Sequence, residues 1–265
     1  MKNTAFIGSG HIAGILTDNL LRRYGMKPEQ VGLSDPDRAR AEQLSSRFGT
    51  RRFDDNASAV SWADYIFICV HPVAVQAVIE SIKTCDMKGK TIISVTAGTP
   101  VRRYRDAIPD AMVVRILPNP PSRLGEGAVP IVLDERMTDE EREGILSMIS
   151  SLGPCFPVSE EKIDIFTSVT SPAPVFAFFE AMIDAALYCG LDHETSSRMV
   201  RQTIKGCLAM WEKGDERISS HLVEACTPGG TSVESLRVMD RGAFKSVVKE
   251  AYIAAFEKSR ALGKN

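Results

Sequence analysis

Histidine is scarce in this 265-residue chain, with four in all, and no two stand at the helical spacing of a metal pair. The six cysteines, Cys69, Cys85, Cys155, Cys189, Cys207 and Cys226, form no C-x-x-C pair, which argues against a zinc ribbon or a redox dithiol. Cys69, inside Ile66-Phe67-Ile68-Cys69-Val70, reads as a buried reduced thiol of a cytoplasmic protein. There is no basic stripe, and a net charge of −2 gives no reason to expect a nucleic-acid partner. No uninterrupted apolar run has bilayer length, so no membrane partner is expected. The N-terminus leads directly into a strand pattern, so no signal peptide is expected either. Repeats, low-complexity tracts and a flexible linker are also missing. What remains is small-molecule chemistry on a chain long enough for more than one small domain.

The most informative stretch lies near the start, at Phe6-Ile7-Gly8-Ser9-Gly10-His11-Ile12-Ala13-Gly14. Thr4–Ile7 reads as a buried strand, and Ile12, Ile15, Leu16, Leu20 and Leu21 form one helical face. A glycine turn between a strand and a helix presents backbone N–H groups and a positive helix end to a diphosphate. The same pattern also describes an ordinary tight strand–helix turn.

Strand and helix patterns then alternate. Gln30–Ser34, Tyr65–Val70, Thr91–Val95, Met112–Leu117, Ala128–Leu133 and Cys155–Val158 read as strands. Helices are expected from near Pro36, at Val73–Ile82, at Val101–Ala107 and at Asp139–Leu152. The alternation predicts an α/β fold with a Rossmann-type doubly wound sheet over residues 1–158. Beyond it only helices are expected: Glu161–Val169, Ala173–Cys189, Thr195–Lys213, Ser219–Ala225, Thr231–Asp240 and Ala243–Leu262. Val175, Phe176, Phe178, Phe179, Met182 and Ile183 nearly encircle the second of these. So much apolar surface on a small helical region, residues 159–265, predicts a homodimer or higher homo-oligomer. A bundle packed on the first domain is the alternative.

The other unusual run is Thr227-Pro228-Gly229-Gly230-Thr231-Ser232. Pro228 stiffens the chain and the glycines open conformations closed to other residues. A helix should follow with Thr231 as N-cap and Glu234 as its capping-box partner. Free N–H groups at that helix start could hold a carboxylate beside the Ser232 hydroxyl, or the run is simply a capped corner between helices.

Taken with Pro118-Asn119-Pro120-Pro121, Gly125-Glu126-Gly127, Leu236-Arg237-Val238-Met239 and Gly242-Ala243-Phe244, these motifs closely resemble the pyrroline-5-carboxylate reductase family, in order and over essentially the whole chain. The resemblance implies a Rossmann domain followed by an all-α dimerisation domain. It implies hydride transfer from a reduced nicotinamide to the C=N carbon of a cyclic imine carboxylate, giving proline, with NADP as the cofactor and NAD as the alternative. It places Gly8, Ser9, Gly10, His11 and Ile12 around the cofactor diphosphate, and Ser34 and Asn56 near the adenosine half. Val70, His71, Pro72 and Ala97 would line the cofactor cleft. Thr231 and Ser232 would hold the substrate, with the Ser232 hydroxyl orienting the proton at the imine nitrogen.

The sequence departs from the family at three places. His71-Pro72-Val73 stands where the family usually has Lys-Pro-Gln. Thr170-Ser171-Pro172-Ala173-Pro174-Val175-Phe176 replaces Ser-Gly-Ser-Gly-Pro-Ala-Tyr, removing two glycines and a hydroxyl. Glu224 falls where an asparagine is common. They keep open a paralogue that reduces another imine or keto acid, and a dinucleotide-binding regulatory protein without turnover. Asp35 could bind ribose hydroxyls or cap the helix from Pro36, while Arg38 and Arg40 could meet a 2′-phosphate.

Overall fold

All four residues of Thr4–Ile7 are buried, as a parallel strand covered on both faces requires. This strand, β1, leads into α1 (His11–Arg22). The chain continues through β2 (Val31–Ser34), α2 (Arg38–Phe48), β3 (Arg51–Arg52), α3 (Asn56–Trp62), β4 (Tyr65–Ile68) and α4 (Val75–Ile82). Then come β5 (Thr91–Ser94), α5 (Val101–Ala107), β6 (Met112–Ile116), β7 (Val129–Val132), α6 (Asp139–Ile149), β8 (Cys155–Pro157) and α7 (Glu160–Val169). The computed structural model describes residues 2–214 and 217–262, so the last three residues of the helical region lie outside it.

The eight strands form one sheet in the order β3-β2-β1-β4-β5-β6-β7-β8. All neighbours are parallel except β6 and β7. The winding reverses between β1 and β4, where Ile7 pairs with Ile68, and such a switch point opens a crevice at the carboxyl ends of the strands. Alternate residues of β1 serve opposite faces. Phe6 packs with Leu16, Leu20, Leu33 and Leu44 under α1 and α2, while Ala5 and Ile7 pack with Val60, Val78 and Ile79 under α3 and α4.

Gly8 fixes the exit from β1. Its φ is +96°, and a Cβ there would lie 2.6 Å from the Cys69 carbonyl oxygen. Its N–H donates to the Ser34 oxygen at 2.8 Å, and Cys69 N–H donates to Ile7 at 2.8 Å, so the ends of three adjacent strands close on one another. Burial beneath this turn pushes the Cys69 thiol up and keeps it protonated.

The antiparallel joint is pinned by Asp134, whose side chain is fully buried. It accepts from Val113 N–H at 2.9 Å and from the Arg136 backbone and guanidinium at 2.8–3.0 Å. Burial alone would raise this carboxyl, but the hydrogen bonds from Arg136 and Val113 outweigh it and hold the pKa at about 2. Arg115, on β6, is buried and pairs with Glu160 at 3.4 Å and Asp164 at 3.0 Å, which fixes α7 against the sheet.

The second compact unit, Ser171–Ala254, begins beyond α7, and the chain from Ala255 groups with the first. Its helices are α8 (Ala173–Tyr188), α9 (His193–Lys213), α10 (Ile218–Glu224), α11 (Thr231–Arg241) and the start of α12 (Phe244–Leu262). Among the described residues of this unit, Ala186 and Val200 are the only buried apolar side chains. Phe176, Tyr188 and Trp211 are half or more exposed. One expectation is corrected here: within Glu160–Tyr188, spanning α7 and α8, an 18-residue window of mean hydropathy 1.2 is long and apolar enough, by length and composition alone, to cross a bilayer. No single run showed this, because the average is carried across two helices and the break at Pro172. Glu180 and Asp184 in α8 suit a protein partner better than lipid.

Helix boundaries differ in detail from the sequence reading. The second helix starts at Arg38 rather than near Pro36, because Asp37 is its N-cap and accepts from Arg40 N–H. The two-residue β3 and the seven-residue α3 carry too little periodic signal to be read in advance.

Gly8→Ala is expected to destabilise the fold by about 3 kcal/mol or more, from backbone strain and overpacking together, measured by urea unfolding. Asp134→Ala should cost about 1–3 kcal/mol, mainly by leaving the buried Val113 amide unpaired, since the Arg136 guanidinium is exposed to solvent. The depressed Asp134 carboxyl adds stability that is complete above its unfolded pKa of about 3.9. That contribution is lost as pH falls toward about 2. Wild type should therefore lose more stability than Asp134→Ala over that window.

Candidate active site

The glycine turn is held from below by a carboxylate. Ser9 N–H donates to Asp35 Oδ2 at 2.7 Å, and Asp37 N–H donates to Asp35 Oδ1 at 2.9 Å. Both oxygens of Asp35 thus serve the backbone, and neither caps α2. The carboxylate ties the turn after β1 to the turn after β2, which the Ile7–Ser34 pairing brings side by side.

The turn then opens onto a bare helix end. Gly10 is the N-cap of α1, has no side chain to cap with, and no acidic residue stands in the first turn. A Cβ on Gly10 would meet nothing within 4 Å. The fold therefore requires Gly8 but not Gly10, and the space above Gly10 is free for a ligand. The Ser9 hydroxyl beside it is buried and has no hydrogen-bond partner. An orphaned hydroxyl, an unfilled space and uncapped N–H groups at the positive end of a helix fit a diphosphate. His11 and Ile12 are the first two residues of that helix, and His11 is exposed.

The other expected residues of this unit gather at the same edge of the sheet. Ser34 Oγ donates to Asn56 Oδ1 at 2.8 Å, and Asn56 Nδ2 donates to Ser81 Oγ at 2.9 Å. Val70, His71 and Pro72 follow β4, with His71 and Pro72 exposed, and the Val70 carbonyl accepts from Thr96 Oγ1 at 3.2 Å. Ala97, exposed, follows β5. Asn119 belongs to the Pro118-Asn119-Pro120-Pro121 run, to which the sequence alone assigns no role. It donates to the Thr170 carbonyl at 3.1 Å and accepts from Ala128 N–H at 3.2 Å, so it anchors the residues just before α8.

Within the second unit, Pro228 and Gly229 form a tight turn. Gly229 has φ +74°, and Gly230 N–H donates to the Thr227 oxygen at 2.9 Å. The N-cap of α11 is Gly230, not Thr231, and Glu234 pairs with Arg237 at 2.8 Å instead of closing a capping box. The turn delivers Gly230 into the cap position, and Thr231 and Ser232 become the first residues of the helix. With no side-chain cap, the first N–H groups of this helix are left for another acceptor. Glu224 ends α10, its side chain 70% exposed, with His221 at 3.9 Å.

Comparisons with known proteins agree over the length of the chain. Residues 160–262 match the family model for pyrroline-5-carboxylate reductase dimerisation, and residues 3–98 match the NADP oxidoreductase, coenzyme F420-dependent, model. The chain is 28% identical to the pyrroline-5-carboxylate reductase of Methanosarcina acetivorans, covering 99% of this chain and 98% of that one. It is 29% identical to pyrroline-5-carboxylate reductase 3 of Xenopus laevis, over 97% and 95%. The crystal structure of Plasmodium falciparum pyrroline carboxylate reductase with NADP bound superposes with a TM-score of 0.86 at 25% identity, over 99% of this chain and 98% of that one. The chain is similar over its whole length to pyrroline-5-carboxylate reductases, and its helical region matches their dimerisation model.

Proposed function

We propose that this protein is an NADPH-dependent pyrroline-5-carboxylate reductase, forming proline from the cyclic imine carboxylate. The observation that carries the reading is the open glycine turn with its orphaned Ser9 hydroxyl, in a chain matched end to end by reductases of this name. Functionally the chain divides into a dinucleotide-binding part, residues 1–158, and a helical part from 159. The dimerisation model supports this division, since its match begins at residue 160.

Each residue has a physical task in this reading. Gly8 sets the bend, Gly10 lets the backbone approach a diphosphate, and the N–H groups of His11 and Ile12 hold its charge. Ser34 and Asn56 serve the adenosine half, and Val70, His71, Pro72 and Ala97 line the cleft. The reduced nicotinamide, when bound, supplies the two electrons as hydride to the imine carbon. The uncapped start of α11, at Thr231 and Ser232, holds the substrate carboxylate. The Ser232 hydroxyl orients the proton that the imine nitrogen takes up, so charge balances as the amine forms. Alignment of the reacting atoms is the main demand, and positioning of this kind is worth roughly 7–11 kcal/mol in favourable cases.

The nearly coreless second unit supports a homodimer formed through these helices. All six cysteines are free, which suits a cytoplasmic location.

Purified protein given NADPH and pyrroline-5-carboxylate should consume the cofactor and release proline. Failure at high enzyme concentration, with turnover of a six-membered imine instead, would transfer the reading to a paralogue. Ser232→Ala should lower kcat at least tenfold while leaving NADPH affinity within about twofold, measured by steady-state kinetics and fluorescence titration. Gly10→Val should retain the unfolding midpoint but lose NADPH binding, because its side chain enters space that the fold leaves unused.

A further inference from the structure

The parallel ladder between β4 and β5 ends at Ile68 and Ser94, with one last backbone bond from Val95 N–H to the Ile68 carbonyl at 3.3 Å. The next rung is made by a side chain. Thr96 Oγ1 donates to the Val70 carbonyl at 3.2 Å, with the Ile68 carbonyl at 3.5 Å. Thr96 is itself held from behind. Its N–H donates to Ser94 Oγ at 3.3 Å, and Ser94 Oγ lies 3.0 Å from the Tyr104 hydroxyl. Ser94, Thr96 and Tyr104 are all at most 2% exposed. Their neighbours along the chain are not: His71, Pro72 and Ala97 reach the surface one or two residues beyond this lock. Val70 also packs against the glycine turn, since a Cβ on Gly8 would lie 3.0 Å from Val70 Cγ1. The Thr96 hydroxyl thus fixes the spacing of the β4 and β5 exits and, through Val70, ties both to the bend after β1. A buried β-branched side chain has little rotamer freedom, so this spacing is firm.

We propose that Thr96 is a positioning residue for the nicotinamide end of the cofactor, acting through the Val70 carbonyl and not by touching the ligand. The proposal rests on the cofactor reading above. The sheet order puts β2 and β4 on opposite sides of β1. A dinucleotide with its diphosphate at Gly10 and its adenosine half by Ser34 and Asn56 therefore has its other half on the β4 side, at the exits of β4 and β5. Without the hydroxyl, the Val70 carbonyl loses its side-chain donor and the two loops lose their common fastening. The glycine turn keeps its own fastenings, from Ser9 N–H to Asp35 and from Gly8 N–H to Ser34. Loss of the hydroxyl should then be felt at one half of the cofactor and not at the other.

Two ligands separate the halves: NADPH, and 2′-phospho-ADP-ribose, which has the same adenosine and diphosphate groups but no nicotinamide. Each is titrated calorimetrically into the full-length wild type, into Thr96→Val, which keeps the shape and loses the hydroxyl, and into Thr96→Ser, which keeps the hydroxyl. Thr96→Val should bind NADPH at least fivefold more weakly and 2′-phospho-ADP-ribose within about twofold of wild type. Thr96→Ser should recover NADPH affinity to within about twofold. Equal weakening of both ligands, unchanged NADPH affinity in Thr96→Val, or a Thr96→Ser variant as weak as Thr96→Val would overturn the proposal. The two readings fail separately. Wild type that forms proline while Thr96→Val binds NADPH normally refutes the positioning role alone. Hydroxyl-dependent NADPH affinity in a protein that does not reduce pyrroline-5-carboxylate refutes the reductase reading alone.

Discussion

A single carboxylate joins the two turns that matter most. Asp35 takes the N–H groups of Ser9 and Asp37, and so sets the bend after β1 and the entry to α2 at once. Because it is almost buried, this pairing is shielded from solvent and holds the Gly8 turn in its positive-φ conformation against the Cys69 backbone. The rest of the cleft inherits its position from that bend. Gly10 and the start of α1 face open space only because Gly8 has already turned the chain across the end of β4. Ser34, next to Asp35, is thereby brought to Asn56.

Much of this was legible in the amino-acid order. β1 falls where its apolar run predicts, and the other main strands differ from the reading by a residue or two at their ends. Buried parallel strands are short and apolar at every position, so they stand out. β3 does not, since Arg51 and Arg52 form a two-residue exposed edge with no hydrophobic signal. Ser34 and Asn56, set side by side only through the family resemblance, share a hydrogen bond. Asp35 offered two readings in sequence, a ribose ligand and a helix cap, and the structure gives a third. That contact depends on β1 pairing with β2, a long-range fact that no local pattern encodes. The cap of α11 was misread for a related reason. Gly229 in a left-handed conformation moves the helix start back by one residue, leaving Glu234 to its nearer partner Arg237.

The two units are built on different economies of burial. The first has apolar layers on both faces of an eight-stranded sheet and gives its buried Asp134 and Arg115 partners of opposite charge. The second hides little of what its sequence offers, and α8 is apolar around most of its circumference yet exposed. A unit of this size without a core is stable as part of an assembly. The match of residues 160–262 to a dimerisation model is in keeping with so much exposed apolar surface.

The claim at the centre is that the uncapped turn at Gly10 is the seat of a dinucleotide diphosphate. Backbone amide resonances of the isotopically labelled protein, followed during titration with NADPH, address it directly. The account predicts that the amides of Gly10, His11, Ile12 and Ala13 shift most and saturate at one cofactor per chain. Shifts that spare these amides while NADPH binds elsewhere would contradict it.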